Sequence, residues 1–332
     1  MNKPYFSIII PTFNSAETLT KLLKSILLST FKNFEIIVID DSSNDKTTEI
    51  IRKYPVRYEK LKKRSGPSVA RNAGAKLAKG DILFFLDADA LIFKNTISEM
   101  VRGFKNNPKV HACAGRVSWK EPANPNLFTR WKALRDFAYW SVERENKYIT
   151  TVGGMISAYK KKAFWDAGGF DSKFQDTNNE DFEFAYRFSK KYEVFFNPNL
   201  KVMHHYGDFW GTTKKYFRRA YHWSELFAKN KAFYNEGATP KESIIGFLAL
   251  ISLVSFVLGF YNIVFLWVGI GLFLLRLFLS RKFIILAFKE DGFWFMIYSI
   301  LVGFWMHLII YAGAFCWVAT RPVIWIKSSK TI

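Results

Sequence analysis

The first ninety residues alternate short apolar runs with longer amphipathic stretches. Four runs rich in β-branched and aromatic residues predict buried strands: Tyr5–Pro11, Phe34–Ile39, Val56–Leu61 and Ile82–Leu86. Apolar positions at helical spacing predict helices between them: from Asn14 or Ser15 to about Ser29, over Asp45–Tyr54 and over Pro67–Ala78. Strands spaced by helices are typical of βαβ units. The pattern therefore predicts an α/β domain whose mostly parallel sheet is flanked by helices.

The alternation is less regular beyond residue 110, where aromatic residues become dense. These aromatics include Trp119, Trp131, Tyr139 and Trp140. Further on, the pattern predicts a helix over Glu180–Lys191, a strand over Leu200–His205 and a basic, aromatic helix over Thr212–Lys229. We assign the first domain to residues 1–230 and expect residues 210–243 to form basic, aromatic helices at its carboxyl end.

Two long uncharged stretches follow this domain. Residues 244–275 contain no charged side chain, and residues 293–320 are interrupted only by His307. Apolar runs of this length predict membrane-spanning helices. We predict a transmembrane region over residues 244–326 with about three helices, at 244–260, 262–280 and 293–318. Two or four segments, or a buried helical core of a soluble protein, are the alternatives.

Composition and charge fit a globular domain attached to a membrane. Of the 332 residues 50% are hydrophobic and 23% are charged, which excludes a disordered chain. The two cysteines, Cys113 and Cys316, are far apart and fit a reducing compartment. Because the amino-terminal apolar run is too short for a signal peptide, we expect a multi-pass protein of the cell membrane whose first domain is cytoplasmic. The net charge of +20 suits a membrane surface, and nucleic acid is not an expected partner because no nucleic-acid motif is present.

Carboxylates follow two of the predicted strands. Asp40 and Asp41 close the second strand, and Asp87 and Asp89 follow the fourth. Ligands of parallel α/β sheets bind beyond the carboxyl ends of the strands. Mg²⁺ and Mn²⁺ prefer such oxygen ligands, whereas Asp40 or Asp41 could accept hydrogen bonds from a ribose or a base. Solvated loop acids and an ordinary helix cap are the alternatives.

Further candidates lie at helix starts and at a strand end. Arg71 lies in the first turns of a predicted helix, where free N–H groups suit a phosphate. Glu180 and Asp181 open another helix, either as acids favoured by the helix dipole or as a general base. His204 and His205 end a strand and point to opposite faces, so at most one of them faces a site.

Arg218 and Arg219 belong to the basic, aromatic segment before the uncharged stretches. They could form a solvated helix face, a phosphate clamp or part of a helix on the membrane surface. The position of the segment favours a surface-lying helix near anionic headgroups.

Five strings follow one another along the chain. They are FSIIIPTFNSAETLTKLLKSI, IIVIDDSSNDKT, GPSVARNAGAKLAKGDILFFLDADA, GGMISAYKKKAFWDAGGFDSKF and NEDFEFAYRF. In this order and spacing they resemble family 2 glycosyltransferases with a GT-A fold, over roughly residues 5–230. The resemblance implies inverting transfer of a sugar from a nucleotide sugar, with a UDP-sugar favoured, and a divalent cation, Mn²⁺ or Mg²⁺, as cofactor.

The resemblance also implies a role for each matching residue. Asp181 matches the catalytic base. Nucleotide or donor contacts are implied for Pro11, Thr12, Asp40, Asp41, Arg71, Asp87, Gly153 and Gly154. Metal contacts are implied for Asp89, Asp87 and His204, with Asp89 as the direct ligand and Asp87 nearer the ribose or a metal-bound water. Glu180, Arg218 and Arg219 are further candidates for contacts with the acceptor or a phosphate.

The chain departs from the family pattern in one respect. Polymerising members carry a Gln-x-x-Arg-Trp motif, which the nearest segment, Phe217–Trp223, lacks. We therefore expect a lipid-linked glycan as acceptor, in glycan or polysaccharide biosynthesis, rather than processive polymerisation. A bare polyprenyl phosphate as acceptor and a non-catalytic, membrane-bound scaffold that binds nucleotide sugars are the alternatives. Membrane lipids are expected partners, and the oligomeric state is left open.

Overall fold

The computed structural model describes residues 3–140, 148–149, 156–173, 180–230 and 240–328. The chain divides into two compact units, Met1–Tyr206 and Gly207–Ile332. The boundary falls before the predicted basic, aromatic helix, so this helix belongs to the second unit.

The first unit begins with the predicted alternation of strands and helices. Its first elements are β1 (Phe6–Thr12), α1 (Ala16–Leu27), β2 (Phe34–Asp40), α2 (Thr47–Ile51), β3 (Arg57–Lys60), α3 (Pro67–Leu77) and β4 (Ile82–Leu86). The sequence pattern predicts each of them to within a few residues. The runs that predict β1, β2 and β4 are almost wholly buried, because helices cover both faces of the sheet.

Among the described residues, the rest of the first unit contains nine further elements, most of which the less regular pattern does not predict. They are β5 (Ala90–Ile92), α4 (Thr96–Asn106), β6 (Ala112–Val117), α5 (Leu127–Trp140), β7 (Tyr148–Ile149), β8 (Ile156–Lys160), α6 (Lys161–Asp166), α7 (Glu180–Ser189) and β9 (Val194–His204). Among these, α7 and the carboxyl end of β9 match a predicted helix and a predicted strand.

The strands form one mixed sheet in the order β3-β2-β1-β4-β8-β6-β9-β5, and β7 pairs with β9. The four strands of the amino-terminal half are parallel, as the alternation predicts. β8 is antiparallel to both β4 and β6. The first half of the sheet is therefore parallel, as predicted. The second half is mixed, since β6 is parallel to β9 whereas β5 is antiparallel to β9.

The sheet separates two apolar layers, and β1 contributes to both. Phe6, Ile8 and Ile10 point to one face and pack with buried residues of α1 and α4. Ile9 points to the other face and packs with buried residues of α3, α6 and α7. The period of two along the strand thus places helices on both faces of the sheet, and its carboxyl edge stays available for polar side chains.

The second unit is helical. Its elements are α8 (Phe209–Asn230), α9 (Pro240–Leu258), α10 (Ile263–Leu279) and α11 (Arg281–Ser328). The side chain of Asn262 accepts a hydrogen bond from the Val264 N–H and caps α10. The regular geometry of α11 breaks at Gly292, which has a φ of 80°, directly before the predicted helix at 293–318.

Apolar helices dominate the second unit. Within the described residues, Pro240–Leu258 and Arg281–Thr320 are long and apolar enough to cross a membrane, and α10 is apolar but shorter. Large apolar side chains are exposed on these helices, among them Trp294 and Phe315. Such exposure fits contact with lipid. The number of membrane crossings stays a prediction.

Three polar side chains connect α9, α10 and α11, and we call them the polar cluster. Nη2 of Arg276 lies 3.3 Å from Nδ1 of His307, and Nε2 of His307 lies 3.4 Å from Oε2 of Glu242. Arg276 and His307 are 3% and 6% exposed. A guanidinium buried among apolar helices is costly unless it is paired, so the imidazole and carboxylate stabilise it and tie the three helices together.

Candidate active site

The carboxyl ends of β1, β2 and β4 lie along one edge of the sheet, because these strands are parallel and adjacent. Thr12 at the end of β1 pairs with Asp40 at the end of β2, and Pro11 pairs with Ile39. Asp87 follows the last residue of β4. Predicted nucleotide-site residues from three strands therefore lie along the edge at which parallel α/β sheets bind ligands.

Asp40 and Asp41 fix the loops at this edge. Asp40 is fully buried and accepts hydrogen bonds from the Ser43 N–H at 2.7 Å and the Thr48 hydroxyl at 2.9 Å. Asp41 accepts from two backbone N–H groups, one of them that of Gly66 at 2.8 Å. Both carboxylates thus already have partners within the protein, and the expected contact of Asp40 with a base stays a prediction.

Helix α3 brings Arg71 to the same edge. The helix begins at Pro67, after Gly66, whose φ of 90° favours glycine. Arg71 is only 4% exposed. Its Nη2 donates to Oδ1 of Asp87 at 2.8 Å, and its Nη1 donates to Oε1 of Glu180 at 3.0 Å. This Arg71 bridge joins the acid after β4 to the first residue of α7.

The charges of the Arg71 bridge shift the pKa of each member. Burial lowers the pKa of the Arg71 guanidinium, but Asp87 and Glu180 outweigh this effect and raise it. Burial raises the pKa of Glu180, and the Asp181 carboxylate raises it further against the opposing effect of Arg71. The pKa of Asp87 is raised by burial, and Asp89 and Asp181 add to this while Arg71 opposes it. Asp181 therefore acts on the same cluster, whose carboxylates attract a divalent cation.

Asp89 and His204 are the predicted metal ligands that the structure brings together. Oδ2 of Asp89 lies 3.3 Å from Nε2 of His204, because the neighbouring Ala90 pairs with His204 between β5 and β9. Two ligand atoms at right angles, each about 2.1 Å from a cation, are about 3 Å apart, so this pair fits one octahedral cation. In the described residues no three His, Cys, Asp or Glu side chains form a metal-binding group. Since Asp87 faces Arg71, substrate phosphates and water would complete the coordination.

Four further residues carry predicted contacts with the donor, the acceptor or a phosphate. Gly153 and Gly154 lie outside the described residues. Arg218 and Arg219 lie on α8 in the second unit, where Arg218 is exposed and Arg219 is half-buried. Their expected contacts stay predictions.

The structure adds Phe13 and Arg64 to the candidate residues. Cζ of Arg64 lies 4.2 Å from the ring centroid of Phe13, which directly follows β1. The planar guanidinium of Arg64 and the ring of Phe13 together form a flat surface next to the strand ends. The sequence gives little signal for this pair, because Arg64 is one of four basic residues in the string KLKKR.

Comparison with known proteins identifies the family. Residues 7–168 match the family described as glycosyl transferase family 2. The uncharacterized glycosyltransferase YwdF of Bacillus subtilis is 30% identical over 205 residues, which make up 61% of this chain and 74% of that protein. The chain belongs to glycosyl transferase family 2. TarP of Staphylococcus aureus, a poly(ribitol-phosphate) β-N-acetylglucosaminyltransferase, is 43% identical over 108 residues, so this chain spans only 33% of TarP.

Solved structures support the GT-A fold of this family 2 member. The mannosyltransferase PcManGT of Pyrobaculum calidifontis, in complex with GDP-Man and Mn²⁺, has a TM-score of 0.58 over 96% of this chain and 88% of its own. Residues 1–349 of Staphylococcus aureus TarS, in complex with UDP-GlcNAc, have a TM-score of 0.50 over 76% of this chain and 66% of their own. Both are 18% identical to this chain, so they show a shared fold.

Membership in glycosyl transferase family 2 makes sugar transfer the reaction to test for the strand-end cluster. Two structural neighbours, TarS and PcManGT, were solved with the nucleotide sugars UDP-GlcNAc and GDP-Man. The edge formed by β1, β2 and β4, together with the Arg71 bridge, is the candidate active site of this chain.

Proposed function

We propose that the protein is an inverting, cation-dependent glycosyltransferase that acts at the cytoplasmic face of the cell membrane. It transfers a sugar from a nucleotide sugar, with a UDP-sugar favoured, to a lipid-linked glycan. The observation that carries the proposal is the Arg71 bridge, which connects the acid after β4 to the helix that bears Asp181. A donor bound at the strand ends and a base at the start of α7 would then belong to one cluster.

We assign the role of general base to Asp181. It is the second residue of α7, is half-buried, and acts electrostatically on Arg71, Asp87 and Glu180. In the proposed reaction its carboxylate takes the proton of an acceptor hydroxyl, whose oxygen forms a bond to the anomeric carbon. The bond from that carbon to the nucleoside diphosphate breaks on the opposite side, so the anomeric configuration inverts.

The diphosphate that leaves carries growing negative charge. A divalent cation held by Asp89 and His204 would neutralise part of this charge. Arg71 keeps its own positive charge through Asp87 and Glu180, and it fixes the Asp87 carboxylate beside the leaving group. We expect removal of divalent cations with EDTA to stop the activity and Mn²⁺ or Mg²⁺ to restore it. Full activity in metal-free buffer would contradict the metal assignment.

The relatives support the donor class. TarP is named as an N-acetylglucosaminyltransferase, and several staphylococcal relatives are named poly-β-1,6-N-acetyl-D-glucosamine synthases. TarS was solved with UDP-GlcNAc, whereas PcManGT was solved with GDP-Man. These names make UDP-GlcNAc the first donor to test and GDP-Man the second.

The second unit supports a membrane-bound acceptor. Its apolar helices α9 to α11 expose large side chains that fit contact with lipid. Lys214 and Arg218 are exposed on α8, together with Trp210 and Phe217, a combination typical of helices at the membrane surface. An acceptor that is itself anchored in the membrane would be held near such a protein.

A nucleotide-release assay tests the proposal. The full chain in detergent is incubated with Mn²⁺ and with UDP-GlcNAc, other UDP-sugars, dTDP-sugars or GDP-Man, with and without polyprenyl phosphate or a lipid-linked saccharide. Release that is stimulated by the lipid-linked saccharide supports the proposal. Stimulation by bare polyprenyl phosphate alone would replace it with the other acceptor class. No release and no nucleotide binding for any donor would favour a non-catalytic role.

A further inference from the structure

Trp119 and Phe137 form a stacked pair whose rings stay partly accessible. Trp119 follows β6, Phe137 lies on α5, and the ring centroids are 3.7 Å apart with 24° between the planes. Both side chains are half-buried. Phe128 and Trp131 also stack, but these two are 7% and 0% exposed and belong to the core. The Trp119–Phe137 pair therefore lies outside the fully buried core, and part of its surface is accessible to a ligand.

Two cations flank this pair. Cζ of Arg116 lies 5.3 Å from the Phe137 centroid and 5.8 Å from the Trp119 centroid. Nζ of Lys120, which is exposed, lies 5.5 Å from the Trp119 centroid. The exposed ammonium group of Lys120 gives this small aromatic surface a positive charge that attracts an anion. We call the four side chains the aromatic platform.

The aromatic platform is anchored to the strand that carries the candidate metal ligand. The segment after β6 runs along the end of β9, where the Ser118 N–H donates to the Val202 carbonyl at 2.7 Å. The Ala123 N–H donates to the carbonyl of His204 at 3.0 Å. His204 in turn lies 3.3 Å from Asp89. The platform therefore lies on the β6–β9 side of the sheet, across β8 from the strand ends expected to bind the donor.

We propose that the aromatic platform is an acceptor subsite, which stacks on the sugar next to a phosphate of the acceptor. This inference rests on the proposed function and names the chemistry that the site recognises in its acceptor. The accessible parts of the rings contact the polarised C–H groups of the sugar, and the exposed Lys120 binds the adjoining phosphate. At the donor edge a diphosphate would be held through a divalent cation, whereas the platform offers the positive charge of a side chain to the acceptor phosphate.

Direct binding tests this subsite without depending on catalysis. The probe is N-acetylglucosaminyl diphosphate with a short alkyl chain, and the matched uncharged probe is an alkyl N-acetylglucosaminide. Both are titrated against the full chain in detergent by calorimetry, and UDP-GlcNAc is titrated separately. Trp119→Ala should weaken binding of the diphosphate probe about tenfold, and Trp119→Phe should retain most of it. Lys120→Ala should weaken binding of the diphosphate probe several-fold while leaving the uncharged probe unchanged.

A matched control is Phe31→Ala, since Phe31 is a half-buried aromatic that packs with Tyr5 and Phe6 at the amino end of β1. It should leave binding of both probes unchanged, and none of these variants should alter affinity for UDP-GlcNAc more than about twofold. A ribitol-phosphate oligomer is also tested as a competitor of the diphosphate probe. If it competes for wild-type protein but not for Trp119→Ala protein, the result would support the platform and identify a polymer as the source of the phosphate.

Two results would overturn the subsite. The first is that the wild-type protein does not bind the diphosphate probe. The second is that the Trp119→Ala and Lys120→Ala proteins bind this probe as tightly as the wild type does. If the probe binds through the platform but no donor is ever turned over, the subsite stands and the proposed transfer reaction fails.

Discussion

Arg71 shows how one side chain can hold a site together. Its guanidinium is almost fully buried and has a carboxylate on each side, so neither Asp87 nor Glu180 is left as an unpaired buried charge. The same contacts join two elements that are more than one hundred residues apart in sequence. Arg71 therefore contributes both to the stability of the first unit and to the shape of the donor edge.

Removal of this guanidinium should be costly. Arg71→Met leaves two carboxylates without their cation, and we expect a loss of about 3–5 kcal/mol in the free energy of unfolding. Arg71→Lys should lose less, because the charge remains while the two-pronged geometry is lost. The control is Arg52→Met at an exposed position, which should change stability by less than about 0.5 kcal/mol. Denaturant unfolding of the detergent-solubilised chain measures all three, and equal stability of the two Met variants would contradict the role of Arg71.

Cys113 provides a pH-dependent test of the core. Burial raises the pKa of the Cys113 thiol to about 12. Because the pKa in the folded state is above the ordinary value of 9.0, the thiol stays protonated at pH 8 and its contribution to stability is lost as the pH rises from about 9 towards about 12. In a Cys316→Ser background, iodoacetamide at pH 8 should modify the unfolded protein readily and the native protein hardly at all, as measured by mass spectrometry. Rapid native modification would show that Cys113 is accessible.

The sequence predicts those site residues that follow a recognisable strand or helix start. Asp87, Asp89 and Asp181 are of this kind, because position along an element decides where they lie. Trp119 and Phe137 are not, because their significance depends on two segments meeting in space, and no local pattern encodes that contact. The aromatic density around Trp119 and Trp131 indicates importance without separating the half-buried residue from the core residue.

At the scale of elements, the position of α3 depends on a close approach to β1. A Cβ atom added at Gly74 would lie 2.4 Å from Cγ2 of Ile9. Gly74→Ala should therefore overpack the layer that holds α3 and cost about 1–3 kcal/mol. The double variant Gly74→Ala with Ile9→Ala should be less destabilised than the sum of the two single variants, because Ile9→Ala removes the atom that collides.

The matched control for this close approach is Gly271→Ala on α10. A Cβ atom there would have no neighbour within 4 Å, so this variant should keep or slightly raise stability, by up to about 1 kcal/mol. Thermal unfolding of the full chain compares the variants. Equal stability of the Gly74→Ala and Gly271→Ala proteins would show that α3 does not approach β1 as closely as described.

The polar cluster makes a similar prediction for the helices of the second unit. Glu242→Gln removes the carboxylate from the chain that runs through His307 to Arg276, and we expect a loss of about 3 kcal/mol. The double variant with Arg276→Met should be less destabilised than the sum of the single variants, because both substitutions then disrupt the same chain of contacts through His307. Arg281→Gln, at an exposed position, is the control. Strict additivity in thermal unfolding would show that the three side chains do not act together.

Element prediction from the sequence succeeds where the hydrophobic period is clear. The segments that form β1 to β4 and the helices between them have hydrophobic periods that clearly distinguish a strand from a helix. β8 and β6 are short, and they pair with strands distant in sequence, so their place in the sheet depends on tertiary contacts. The predicted bounds of α9 and α10 lie within a few residues of the observed ones. Helix α11 begins earlier and ends later than predicted, and its early start includes the charged segment Arg281–Asp291.

At the scale of the whole molecule, the two units contribute different parts of the proposed function. The first unit holds the strand-end carboxylates, the Arg71 bridge and the aromatic platform. The second unit holds apolar helices and a basic, aromatic helix. With a net charge of +20, the chain suits a surface of anionic lipids and a phosphate-bearing acceptor.

The central claim is that Asp181 acts as the base in transfer from a nucleotide sugar. The most direct measurement compares nucleotide release from UDP-GlcNAc by wild type and Asp181→Asn, with Mn²⁺ and a lipid-linked saccharide, in the full detergent-solubilised chain. We predict that the variant binds UDP-GlcNAc as wild type does but loses about 10²–10⁴-fold in the rate of transfer, because the acceptor hydroxyl keeps its proton. An unchanged rate in the variant would contradict the account and remove Asp181 from the reaction.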